Sequence, residues 1–351
     1  MKSFLNHPIN GLITRRKSMR KTAGIIAAVA LAASALFASP AHAAGNITAG
    51  GSSFSGGMFT TCAAGSNVTY TASSSGTGKT NFTNGQFDFA GSDAVYAPTE
   101  KKPAGSFAYV PVLGGPIAII FNIPGVHNLR LDAATIGGIF QGTITKWNDK
   151  KIVKLNKGVK LPAQAITPEY RNSKSGTNGN FSGYLAANKA AGWTADQTWT
   201  VATGKATPAG TGAATSTLVV SNVVSTAYSV GYVDLKDAKA KNVNYAAVKN
   251  SAGQFIKPTP AASAKFLAKQ KVNADGSVDI NWSQKVPGGY NASLITYAIV
   301  NTSASKNGAE VKSFLEYVLN SCVPANATPL GYVALTGATL AKAKAVVASI
   351  K

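Results

Sequence analysis

Arg171, Ser173, Ser175, Gly176 and Thr177 fall within one short run, RNSKSGT, directly ahead of NGNFSGYLAAN (178–188), which reads as a helix with an apolar face. A guanidinium, hydroxyls and a glycine-softened turn thus arrive together at a helix start. Unpaired backbone N–H groups and the positive end of the helix dipole favour an anion there. These residues read as half of an oxyanion pocket; taken alone, they also fit a plain Ser/Thr N-cap beside an exposed arginine. Arginine is scarce enough to matter, since beyond residue 43 only Arg130 and Arg171 occur.

Other segments deliver similar chemistry. Asn46 to Phe59 reads as a strand, a Gly50-Gly51-Ser52-Ser53 turn and a helix opening near Phe54. Val68 to Tyr70 reads as a second strand, followed by a Ser73–Gly78 turn and a helix over Lys79 to Thr83. Phe87 to Ser92 alternates like a strand and ends on Asp93. Each time a strand hands Ser, Gly or Asp to the turn at its C-terminal end, the edge where open α/β sheets bind ligands. Asp93 reads either as a turn or cap residue or as an acceptor for a protonated anion. Phosphate carries an O–H at neutral pH and sulfate does not, so a buried carboxylate would reward the first and repel the second.

Other chemistries find less support. SSSGTGKT (73–80) ends as a P-loop does, but Ser73 stands where the first glycine belongs. Beyond residue 43 the one histidine is His127, in a Pro-Gly-Val-His turn, and no Gly-x-Ser-x-Gly elbow or metal-ligand spacing occurs. Trp147, Trp193, Trp199 and Trp282 read as core or edge packing.

The positioning elements follow. Tyr109 to Ile123 is the longest β-branched run, and its Gly114-Gly115-Pro116 interruption predicts two strands or one crossing between domains. Asp132 caps a helix to Phe140, Asp149 to Asn156 is a short helix, and Ala165 to Tyr170 is the strand feeding Arg171. Thr203 to Thr217 is a loop before a helix near Leu218 to Ser225, and Ser229 to Val233 is a strand. Leu294 to Val300 resembles a return crossing, and helices over Ala309 to Asn320 and Gly337 to Ile350 close the chain. Strands alternating with helices predict α/β layers.

The chain has 351 residues, 45% apolar and 13% charged, with 35 glycines, a packed and loop-rich composition that suggests two domains. Residues 1–43 read as an export signal: a basic Arg15–Lys21 region, an apolar Ile25–Phe37 core and an Ala41-His42-Ala43 cleavage site. Met19 also begins a complete signal, and Thr14-Arg15-Arg16 is a weak twin-arginine look-alike, so the start and the Sec or Tat route stay open. That segment holds six of the 34 basic residues and none of the 13 acidic ones, leaving 28 against 13, net +15. Such an excess attracts anions. The lysines are scattered without an Arg stripe or an aromatic RNA motif, which argues against nucleic acid. Cys62 and Cys322 permit one disulfide in an oxidising compartment or two buried thiols.

Taken together, the motifs resemble the phosphate-specific periplasmic binding proteins of bacterial ABC transporters. TAGGSSF (48–54) resembles the family's opening Gly-Ala-Gly-Ala-Thr-Phe, and FDFAGSD (87–93) its Asp-Phe-Gly-Ala-Ser-Asp. NIPG (122–125) and IFQGTITKWN (139–148) follow its middle section, and RNSKSGT resembles Arg-x-Asp-x-Ser-Gly-Thr. The resemblance implies an α/β, two-lobed type II fold, each lobe a mixed sheet flanked by helices, joined by a double-strand hinge. Residues 44–115 with 295–351 would form one lobe, and 116–294 the other.

It further implies a phosphate site of Ser53, Phe54, Ser75, Asp93, Arg171, Ser175, Gly176 and Thr177, with no metal, no cofactor and no catalytic activity. The implied partners are inorganic phosphate and an inner-membrane ABC transporter permease, for an exported, periplasmic or secreted monomer. A secreted phosphomonoesterase and a binder of another oxyanion are the alternatives. Ser173 replaces the family's Asp, which leaves the arginine's orientation in question, and Thr207 to Thr217 matches no motif.

Overall fold

The computed structural model describes residues 46–351. The signal segment read over residues 1–43 lies outside them. Ten strands form one mixed sheet. β1 (Ile47–Gly51) lies between parallel neighbours β2 (Val68–Ala72) and β3 (Phe89–Ser92). α1 (Gly56–Ala63) follows β1 and α2 (Ser75–Thr83) follows β2.

β4 (Phe107–Asn122) is the spine, a single continuous strand. Along Phe107–Pro116 it pairs antiparallel with the Ser293–Asn301 strand, which bonds β3 on its other side. From Ile117 to Asn122 it pairs instead with Ser229–Asp234, which leads to the parallel strands Thr167–Arg171 and Thr211–Ala213. β4 therefore belongs to two half-sheets. Its prolines sit where the ladder allows a missing donor: Pro111 opposite Tyr297, at a register shift, and Pro116 at the change of partner. Of the two readings of the interrupted run, the single crossing is the one adopted.

The chain returns to the first half-sheet before Leu294. Phe266 and Leu267 of the Pro260–Leu267 helix, and Val286, share a core with Tyr109, Ile295 and Ile299. Tyr109 N–H donates to the carbonyl of Asp275. Residues 260–286, expected in the second lobe, thus pack on the first, because these apolar side chains cover the face of β4 and its partner strand. The expected crossing over Leu294 to Val300 is a strand lying wholly in the first half-sheet.

Local expectations fare well where caps are explicit. Asp132 caps α3 (Ala133–Phe140) in a reciprocal box with Thr135, and Asp149 caps the Lys150–Leu155 helix. The C-terminal end holds more helix than expected. Gly308–Tyr317 runs through a π-turn into Val323–Leu330, where Pro324 is tolerated in the first turn, and Gly337–Ala348 follows. Cys62 and Cys322 are disulfide-bonded across a sequence separation of 260, tying α1 to this helical end.

Candidate functional site

Six parallel strands, three in each half-sheet, point their C-terminal ends at one place. β1 delivers Ser52 to Ser55 through Gly51, whose φ of +129° and contact with the Gly91 carbonyl exclude a side chain. β2 delivers Ser73 to Ser75, and β3 delivers Asp93. In the second half-sheet, Thr167–Arg171 delivers Arg171 to Thr177, Thr211–Ala213 delivers Ala214 to Ser216, and Ser229–Asp234 ends on Asp234.

Arg171 is 1% exposed. Its Nε donates to the Ala214 carbonyl at 3.0 Å, Nη1 to Ser53 Oγ at 2.9 Å and Ser216 Oγ at 3.3 Å, and Nη2 to Ser173 Oγ at 2.9 Å and the Ser73 carbonyl at 3.2 Å. Ser173 therefore helps to orient the guanidinium, and donates onward to the Ala214 carbonyl. It brings no charge. Among the described residues no carboxylate forms an ion pair with Arg171. Burial lowers the arginine's pKa, yet a guanidinium stays protonated in proteins. Its backbone is fixed as well: Asn178 Nδ2 donates to the Arg171 carbonyl, while Tyr232 Oη accepts the Arg171 N–H and donates to Asn178 Oδ1.

Asp93, 4% exposed, faces this cation from the first half-sheet. Ser52 Oγ donates to Oδ1 and Oδ2 at 2.6 and 2.7 Å, and Thr296 Oγ1 donates to Oδ1 at 2.6 Å. Ser75 Oγ is 3.5 Å from Oδ2 and accepts the Asp93 N–H at 3.1 Å. Burial pushes the carboxyl up to about 6, against the lowering pull of the Ser52 and Thr296 hydroxyls and of Arg171. Ser52, Ser216 and Thr296 are site residues that the motifs do not single out. Thr296 is legible as the one aliphatic hydroxyl in the apolar run LITYAIV, and Ser216 as another strand-to-helix turn.

The two walls meet at Gly176. A Cβ there would lie 2.5 Å from Ser75 Oγ and 2.8 Å from Asp93 Cβ, so only glycine admits this approach. Asn180 Nδ2 donates to the Asp93 carbonyl at 2.7 Å, Gly76 N–H to that of Lys174 at 2.9 Å, and Ser216 N–H to Ser53 Oγ at 3.3 Å. Ser175 is the N-cap of the Gly176–Ala187 helix but makes no side-chain cap bond, and Thr177 Oγ1 is buried without a hydrogen-bond partner. The first-turn N–H groups of this helix have no intrahelical acceptors. Phe54 serves differently: its carbonyl accepts from Tyr332 Oη at 2.7 Å and its ring packs edge-on against Tyr332.

The P-loop look-alike resolves otherwise. α2 starts at Ser75, inside the expected turn, with Ser74 capping Thr77 N–H. Lys79 turns away from the site to Glu100 at 2.6 Å.

The sequence matches the PBP superfamily domain over residues 38–321. Phosphate-binding protein PstS 2 of Mycobacterium tuberculosis is 36% identical over 264 residues, covering 70% of each chain. Phosphate-binding protein PstS 3 of Mycobacterium leprae is 33% identical over 271 residues, covering 72% of this chain and 71% of that one. Among solved structures, a high-affinity periplasmic phosphate-binding protein, PfluDING, bound with phosphate, superposes with a TM-score of 0.72 at 21% identity, covering 86% of this chain and 93% of its own. That likeness carries the two-lobed fold. With the sequence matches, the converging strand ends and the buried Arg171 and Asp93 in view, the chain belongs to the PBP superfamily and, within it, to the PstS phosphate-binding proteins.

Proposed function

We propose that this protein binds inorganic phosphate outside the cytoplasm and hands it to the permease of a membrane ABC transporter, without a catalytic step. One observation carries the reading. Arg171 is buried among three hydroxyls and two carbonyls and, among the described residues, is ion-paired to no carboxylate, while Thr177, six residues further on, has a buried hydroxyl without a partner. A buried cation so placed favours an anion at the helix start.

In this reading Arg171, Ser53, Ser75, Ser175, Gly176 and Thr177 supply donors, together with the Phe54 N–H. Asp93 accepts the phosphate proton; Ser52 and Thr296 already occupy much of its capacity, which leaves room for one further donor. Among the described residues the first lobe comprises 46–115 and 259–351, the second 116–258, and closure of the two buries the ligand. Among the described residues no helix is long and apolar enough to cross a membrane, which suits an exported protein freed of its signal near Ala43. The scattered lysines suit capture of a small anion by a monomer rather than nucleic-acid binding.

Titration calorimetry with phosphate and sulfate tests the reading. Phosphate is expected to bind and sulfate to bind far more weakly; equal affinities would remove the role given to Asp93. Release of phosphate from an aryl phosphate by the purified protein would favour the phosphomonoesterase alternative.

A further inference from the structure

Glu100 lies in the connection between β3 and β4, on the first half-sheet. The Ala97 N–H donates to its Oε2 at 2.6 Å, and Lys79 Nζ pairs with the same oxygen at 2.6 Å. Lys79 is itself held by the Val95 carbonyl at 3.2 Å and lies 5.4 Å from the Tyr96 ring centroid. This carboxylate is therefore fixed by its own half-sheet before it reaches anything else. Burial raises its pKa, but the Lys174 and Lys79 ammonium groups and the Ala97 N–H outweigh that and hold it below the usual range.

Its second oxygen reaches across. Oε1 pairs at 2.7 Å with Nζ of Lys174, the residue between Ser173 and Ser175 in the Arg171–Thr177 loop. The backbone repeats the link, because Gly76 N–H donates to the Lys174 carbonyl. A Cβ on Gly76 would come within 2.7 Å of Lys174 Cβ, so this approach needs the bare glycine. Lys174 has its side chain 45% exposed, against 14% for Glu100.

We propose that Glu100 is a positioning residue for phosphate capture: through Lys174 it clamps the Arg171–Thr177 loop against the first half-sheet and slows release of the ligand. The clamp rests on the phosphate reading above. The pair exists only while the two half-sheets are together, so its energy belongs to the closed form alone and appears in the release rate rather than in association. The same arrangement gives the lysine of the P-loop look-alike a task, since Lys79 holds Glu100 in place.

Stopped-flow release and calorimetry on the full mature chain test the clamp. Lys174→Gln leaves Lys79 and Glu100 paired, and is expected to release phosphate about five-fold faster, as a partly exposed ion pair allows, with the association rate and melting temperature unchanged. Lys174→Arg should restore the native rate.

A lysine that merely attracted the anion would behave otherwise. Removing it would slow association, and removing the Glu100 charge would tighten binding, whereas the clamp requires Glu100 removal to weaken binding. Glu100→Gln strands the buried Lys79 charge, so it is compared with Lys79→Met in the Lys79→Met/Glu100→Gln double variant. Native release kinetics in Lys174→Gln, or tighter binding in the double variant, overturns the clamp. Absence of phosphate binding by the native chain would remove the phosphate reading itself, a separate result.

Discussion

The two walls of the site are built alike and do opposite things. Each holds a buried charge, Asp93 on the first half-sheet and Arg171 on the second, and each surrounds it with hydroxyls rather than with the other charge. Around Asp93 the hydroxyls of Ser52 and Thr296 donate; around Arg171 those of Ser53, Ser216 and Ser173 accept. A hydroxyl suits both tasks because it rotates to present a proton or a lone pair. The walls differ in what burial can do to them. It pushes Asp93 up to about 6, within reach of mild acid, while the guanidinium keeps its proton throughout. In the proposed phosphate reading, the arginine wall would set how tightly an anion is held, and the aspartate wall which anion and at what pH.

Removing the charge on the second wall should have the largest effect. Arg171→Ala is expected to weaken phosphate binding by about 3 kcal/mol, roughly 150-fold, measured by calorimetry with circular dichroism to check that the fold survives. Asp93→Asn should cost less, about ten-fold, because the amide oxygen still accepts a hydrogen bond, while discrimination against sulfate collapses. If Asp93→Asn proved the more damaging change, the division of labour between the walls would be reversed.

The smallest effect is pH dependence. The raised Asp93 pKa means that, between the ordinary carboxyl value and about 6, the ligand-free fold holds a proton there which the unfolded chain has lost. Its contribution to stability is complete below the ordinary carboxyl value and disappears as pH rises through about 6. Protonated, Asp93 becomes a donor that a fully ionised oxyanion can use. The ratio of sulfate to phosphate affinity should therefore rise by about three-fold between pH 7.5 and pH 5.5, as the carboxyl gains its proton. In Asp93→Asn the carboxyl's share of this change should disappear, leaving only the change that phosphate's own protonation produces over the same range.

Much of this site is legible in the amino-acid sequence. Arg171, Ser175, Gly176 and Thr177 are contiguous, and Ser53 and Asp93 each end a strand, so local pattern finds them. Ser52 escapes notice beside Ser53 because nothing in GSSF says which serine turns toward Asp93. Thr296 lies 203 residues from the carboxylate it serves, and Ser216 lies 45 from Arg171 in a run of small residues without a motif. Sequence pattern puts residues 260–286 in the wrong half because a helix of Ala, Ser, Lys, Phe and Leu carries no sign of which sheet it will cover. The disulfide is one of two outcomes that the spacing of Cys62 and Cys322 leaves open, and only their meeting in the fold decides between them.

By itself the sequence determined the alternation of strands and helices, the small and polar residues at strand ends, and the scarcity of arginine, because local backbone preference and hydrophobic period are written residue by residue. Only the tertiary structure decided that six strand ends converge, that the Ser173 hydroxyl accepts from the Arg171 guanidinium, and that Glu100 and Lys174 meet across the site. Those outcomes depend on how β4 divides its length between half-sheets, and side chains far apart in the chain are brought within hydrogen-bond reach only by that packing.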